Sequence, residues 1–184
     1  MSAPARTGTN ASGPWVTRMI RIGGASKVDV RSKLRVAGVR LNESAEVLFA
    51  DDRFTTSAVI SLVEIAELSV ASLGFRNGAT FAQIVEQAEV VGLSLCPLEL
   101  GPHFRLQYTV QPEGFLGRQP SQHRAPPGSV TVASAPLADD DGIPKGFYLR
   151  RIEGVLWLRG YCSSPDHNWR PEDVLVLSRM QHAA

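Results

Sequence analysis

Residues 146–161 read GFYLRRIEGVLWLRGY, two runs rich in aromatic and branched side chains on either side of Glu153-Gly154. A glycine between two such runs supplies the positive backbone angle that a two-residue turn needs, so the stretch predicts a tight antiparallel hairpin. A hairpin buries its apolar side chains only against further structure, and the chain offers more strands to build it. WVTRMIRI (15–22), SLVEIAELSV (61–70), HFRLQYTV (103–110), SVTVASA (129–135) and VLVLS (174–178) all have strand-like patterning.

Two other stretches carry helix punctuation in the same order. GGASKVDVRSKLRVAGVRLNE spans 23–43 and NGATFAQIVEQAEVVGLSLCPLELG spans 77–101. Ser26 with Asp29, and Thr80 with Gln83, have the spacing at which a hydroxyl and a third-position side chain satisfy the free amides of a helix start. The same offset pairs Val30 with Ile84, Leu34 with Ala88 and Gly38 with Gly92. Both glycines suit the left-handed position that stops a helix, and a short alternating run follows each. Asn42 caps a further short helix over ESAEVLFA (43–50), with a loop at 51–57.

These signals predict an α+β protein. The expectation is an N-terminal helix-rich unit with a repeated helix–Gly–extended motif, followed by a mainly antiparallel sheet. The expected organisation is a disordered tail over 1–14, an N-terminal α/β unit over 15–57 and an α+β domain over 58–184. Within that domain, the Pro-, Gly- and Gln-rich 111–129 reads as an exposed loop.

Hydrophobic residues make up 43% of the 184 and charged residues 20%, with a net charge of +1. That balance favours a packed core over disorder. No apolar run reaches membrane-spanning length and the first residues lack a signal-peptide core, so the expected setting is cytoplasmic, with no membrane partner. The charge is unevenly spread: +4 over 1–60, −4 over 61–100 and +1 over 101–184. A basic front facing an acidic middle suits internal docking as well as ligand binding. Cys96 and Cys162 are too few for a disulfide framework and read as free thiols.

LSLCPLELGPHFRLQY with QPEG after it, then KGFYLRRIEGVLWLRGY and SPDHNW, resembles a group of small uncharacterised bacterial proteins, some of which carry an automatic helicase label. The resemblance covers roughly residues 60–178 and implies a shared fold with little chemistry. Helicase activity does not come with it, because the chain has no G-x-x-x-x-G-K-[ST] loop to cradle phosphates.

Three groups of side chains can carry chemistry. In the segment expected as a strand at 103–110, Arg105 and Gln107 share a polar face opposite Phe104, Leu106 and Tyr108. With Tyr108 and Gln111 they form a candidate binding site, a guanidinium for carboxylate or phosphate and amides for paired hydrogen bonds. Cys162 and His167 flank Asp166 in a turn-like SSPDHNW, where a nearby imidazole can activate a thiol. Lys27, Arg31 and Arg35 recur every four residues and make one basic stripe; this short helix is similar to SAP-type DNA-binding modules. No metal spacing links the histidines and cysteines, and no cofactor is implied. Asp139-Asp140-Asp141-Gly142 reads as a solvated turn.

The expected function is a non-catalytic binding or regulatory protein, one that neutralises or adapts a protein partner. The alternatives are a small enzyme using the Cys162/His167 loop or the Arg105/Gln107 face, and a nucleic-acid adaptor using the basic helix at 26–37.

Overall fold

The computed structural model describes residues 15–114 and 125–179. The tail expected over 1–14 and the middle of the loop expected over 111–129 lie outside the described residues. In chain order the strands are β1 (Val16–Ile22), β2 (Arg40–Leu41), β3 (Ser61–Ser69), β4 (Leu93–Ser94), β5 (Val130–Val132), β6 (Gly146–Ile152), β7 (Val155–Tyr161) and β8 (Val174–Arg179). The helices are α1 (Lys27–Val36), α2 (Glu43–Ala50), α3 (Phe81–Val90) and α4 (Leu100–Gln107), with a 3₁₀ turn at Val70–Leu73.

The hairpin forms as its turn residues require. β6 and β7 pair antiparallel from Gly146↔Tyr161 to Ile152↔Val155, and both turn residues have positive φ, 51° at Glu153 and 76° at Gly154. One sheet is built around it in the order β1-β3-β8-β5-β6-β7-β2. β5 runs parallel to β8 and β2 parallel to β7, and the other pairs are antiparallel. The fold is therefore α+β with a mostly antiparallel sheet. Strands from 15–57 and from 58–184 belong to the same sheet.

Alternation along the strands sorts the core into two layers. Ile65, Val130, Val132, Leu158 and Val176 face one side, where they meet Val30 and Leu34 of α1, Leu48 and Phe49 of α2, and Leu100 and Phe104 of α4. Their neighbours Ala66, Ala133, Leu175 and Leu177 face the other side, against Ile84 and Ala88 of α3 and against Trp169. Leu34 and Ile84 are fully buried, and each such side chain stabilises the fold by about 1.5–3 kcal/mol.

Both capped helices start where their hydroxyls place them. Ser26 accepts from the Asp29 amide, and Thr80 with Gln83 closes a reciprocal capping box. Gly38 and Gly92 then turn the chain at φ 70° and 79°. The surroundings of the two stretches differ: β2 borders the sheet parallel to β7, whereas β4 lies antiparallel beside the end of β8.

The segment expected as a strand at 103–110 is instead the helix α4. Its alternation of Phe104, Leu106, Tyr108 and Val110 coexists with a four-residue spacing of Leu100, Phe104 and Tyr108, and the helical set wins because it meets β1 and β6. Phe104 and Tyr108 stack with ring centres 5.2 Å apart. Pro102 falls in the first turn, where its missing amide costs no helix hydrogen bond. The helix is enclosed by the core, since every residue from Leu100 to Arg105 is buried.

Two polar side chains latch the start of α4 to the loops after β1 and before β3. The Glu99 carboxylate accepts from the Ser57 amide at 3.1 Å, and His103 Nε2 accepts from the Gly23 amide at 3.2 Å. An accepting Nε2 puts the ring proton on Nδ1, so the 3.7 Å approach of Glu99 to the same nitrogen is not an ion pair. Burial, with a smaller push from Lys33, holds the His103 imidazole below the usual histidine range, while burial raises the Glu99 carboxyl. A base with a depressed folded pKa takes its proton first in the unfolded chain, so its contribution is lost as pH falls below about 6.5. Glu99 acts with the opposite sign, because acid relieves the cost of its buried charge. His103→Gln keeps an acceptor and removes the titration. Urea unfolding at pH 7 and pH 5 should therefore show an acid-induced loss in the wild type that the variant lacks; equal losses would contradict the latch.

Candidate functional site

On the sheet face away from α1, α2 and α4, the strands β5, β6 and β7 carry Thr131, Tyr148 and Tyr161 side by side. Register places Thr131 opposite Tyr148, and Tyr148 opposite Arg159 on the next strand. These side chains floor a cavity of about 310 Å³. Ser129, Ala125 and Pro126 close one side, and Cys162, Ser163, His167 and Trp169 close another. Ser44, in the first turn of α2, reaches the rim beside Gly160.

Gly160 lets α2 come this close. A side chain there would put its Cβ 2.6 Å from the Ser44 carbonyl carbon and 2.7 Å from the Ala45 nitrogen. Asn42 uses the same absence of a side chain: its Oδ1 accepts from the amides of Ala45 and Gly160, and its Nδ2 donates to the Gly160 carbonyl. One asparagine thus caps α2 and fastens it to the end of β7. On the other wall, Trp169 is fixed by reciprocal backbone hydrogen bonds with Ala79, at 2.8 and 3.0 Å. The rings of Tyr161 and His167 each stand perpendicular to its indole, with centres 5.8 and 5.2 Å away.

The lining mixes hydroxyls with aromatic rings. Ser129 and Thr131 are 5% and 3% exposed and both line the space. The Trp169 indole nitrogen is buried without a partner among the described residues. Tyr148 accepts from Arg159 Nε at 2.7 Å, which leaves its own proton to donate. Burial drives the Tyr161 phenol far above the usual range, so it stays neutral. Buried polar groups are normally paired, and a concave wall that turns hydroxyls and an unpaired indole N–H to one space can exchange hydrogen bonds with a ligand. Among the described residues no three of His, Cys, Asp or Glu gather as metal ligands would.

Cys162 and His167 do meet at this cavity. Asp166 between them accepts from the Ser164 hydroxyl at 2.5 Å, which lowers its pKa, and the His167 amide donates to the Ser164 carbonyl. The loop is thus held by its own turn bonds, and no carboxylate orients the imidazole among the described residues.

The Arg105 group is a correction. Arg105 is fully buried and Gln111 is 1% exposed, so no solvated polar face exists there. Arg105 donates to Gln111 Oε1 at 2.5 Å and to the Tyr108 carbonyl. Gln111 Nε2 donates onward to the Gly128 and Leu149 carbonyls, both at 3.1 Å. Burial lowers the guanidinium to about 10, which still leaves it charged at neutral pH. Tyr108 is 8% exposed and packs on Phe104. Gln107 turns the other way: its amide accepts from the Arg21 nitrogen and donates to the Arg21 carbonyl, so it occupies the outer edge of β1. An edge strand is open to unwanted pairing, and Gln107 covers this stretch of it.

The basic stripe is largely spent on α2 and the loop after it. Arg31 pairs with Glu46 at 2.7 Å, and Lys27 donates to the Asp51 carbonyl at 2.7 Å while lying over the Phe54 ring. Arg35 is exposed. Asp140 holds its own turn by accepting from the Gly142 amide, and Lys145 clasps the carbonyls of Ala138 and Asp140.

Sequence reasoning found Cys162 and His167 and missed Thr131, Tyr148 and Gly160. The signal available for Gly160 was a glycine inside a strand pattern, which marks a close backbone approach. Gly160→Ala should force α2 off β7 and cost about 1–3 kcal/mol by overpacking. A thermal melt checks this, and an unchanged melting temperature would contradict the docking described above. Compared with known proteins, the chain matches no family model, no curated protein and no solved structure.

Proposed function

We propose that the protein is a non-catalytic binding protein and that its recognition site is the cavity over β5, β6 and β7. The observation that carries this reading is one concave space lined by the hydroxyls of Thr131 and Ser129 and by aromatic rings, with the Trp169 indole nitrogen buried and without a partner among the described residues. Leaving such a buried group without a partner costs about 1–3 kcal/mol, and a ligand that pairs with it recovers that cost on binding. The aromatic walls add apolar contact and need little ordering, because backbone pairing already fixes Trp169.

Catalysis by Cys162 has narrower support. Its thiol is exposed and shares the cavity with His167, but the imidazole packs edge-on against Trp169 and Asp166 is engaged by Ser164. A thiol nucleophile needs a base oriented toward it. Nucleic-acid contact through Lys27, Arg31 and Arg35 is weakened by the bonds Lys27 and Arg31 make to α2 and its following loop. No helix of the described residues is long and apolar enough to cross a membrane.

The experiment is a fragment screen followed by amide and indole NMR shifts. Hits should move the Thr131 and Gly160 amides and the Trp169 indole together, and Thr131→Val should weaken those shifts about tenfold or more. Hits that cluster instead along α1, with the cavity resonances still, would overturn the reading.

A further inference from the structure

The chemistry of the cavity wall narrows what it can hold, and this inference rests on the binding reading above. No lysine, arginine, aspartate or glutamate among the described residues lines the space. Arg159 is not among the lining residues; its Nε is bonded to the Tyr148 hydroxyl and its guanidinium lies over the Trp157 ring, 5.1 Å from its centre. Among the described residues a charged ligand would therefore meet no carboxylate, lysine or arginine in the lining, and its desolvation is not recovered by neutral hydroxyls. The wall offers donors and acceptors of both kinds. The hydroxyls of Ser129 and Thr131 can do either, and Tyr148, already accepting, donates.

Size and shape narrow the class further. About 310 Å³ lies at the small end of ligand sites, which run from about 300 to 1,000 Å³. That suits one ring or two fused rings rather than an extended cofactor. Three of the walls are aromatic, and the rings of His167 and Tyr161 are both perpendicular to the Trp169 indole. Flat ligands gain most from such walls, by stacking or edge contact.

We infer that the cavity takes an uncharged, planar ring compound bearing both a hydrogen-bond donor and an acceptor, such as a carboxamide-substituted aromatic or a neutral nucleobase-sized heterocycle. Thr131 and Ser129 read its polar edge, and Trp169, Tyr161 and His167 enclose its ring. Exposed Cys162 at the rim reports occupancy without taking part in recognition.

Benzamide, benzoate and benzamidine share a shape and differ in charge, so they test the inference on the intact chain. Each is titrated while the Trp169 indole resonance is followed, and alkylation of Cys162 by iodoacetamide is timed with and without it. Benzamide should shift the indole and slow alkylation, with an affinity at least tenfold above those of both charged analogues; Thr131→Val should lose most of that preference. Benzoate or benzamidine binding as tightly as benzamide would overturn the charge argument while leaving the cavity as a binding site. If none of the three moves the indole at millimolar concentration, the ring-compound inference falls. The binding reading then falls with it only if the wider fragment set also leaves the cavity resonances still.

Discussion

A fully buried arginine with no carboxylate partner among the described residues organises the joint between α4 and the sheet. Arg105 lies in the last turn of its helix, where exposed carbonyls carry partial negative charge, and its guanidinium folds back onto the Tyr108 carbonyl. Gln111 completes the arrangement, taking one guanidinium proton on its oxygen and spending both amide protons on the carbonyls of Gly128 and Leu149. A charge removed from water needs its protons taken up, and here the dipoles of Gln111 and Tyr108 accept from both terminal nitrogens, while Nε has no partner among the described residues. The helix end, the chain leaving it and the middle of β6 are held by these bonds. Phe104 and Leu149 can then pack into the same layer as the α1 and α2 side chains.

That paired network contrasts with the cavity on the opposite face. There Thr131, Ser129 and Trp169 are nearly as buried as Gln111, and the Trp169 indole nitrogen lacks a partner among the described residues. The same sheet thus carries bonded polar side chains at the α4 joint and a hydroxyl-lined concave wall that is open to a ligand. A binding site is the place where this second condition is expected, because the ligand supplies what the fold does not.

Much of the fold was legible in the sequence because its signals are local. The Glu153-Gly154 turn, the caps at Ser26, Asn42 and Thr80, and the stops at Gly38 and Gly92 each act within a few residues of themselves. The errors came where two periods coexist. From 103 to 110 the alternation suggests a strand, while Leu100, Phe104 and Tyr108 define a helix face, and only contact with β1 and β6 decides between them. That one change of period moved Arg105 from solvent to core and sent Gln107 to the edge of β1. The site was legible only in part, because Cys162 and His167 are near in sequence. Thr131, Tyr148 and Trp169 are brought together by strand pairing across long separations, which no local pattern announces.

The Thr131 hydroxyl is assigned to a ligand and not to the fold, and the stability of Thr131→Val tests that assignment most directly. Valine keeps the branched shape and removes the hydroxyl, so a group without a protein partner has nothing to lose. Urea unfolding of ligand-free protein should show the variant as stable as the wild type, or more stable by up to about 1 kcal/mol. A loss of more than about 1 kcal/mol would mean that the hydroxyl is bonded within the fold, and would contradict the assignment of this cavity as a binding site.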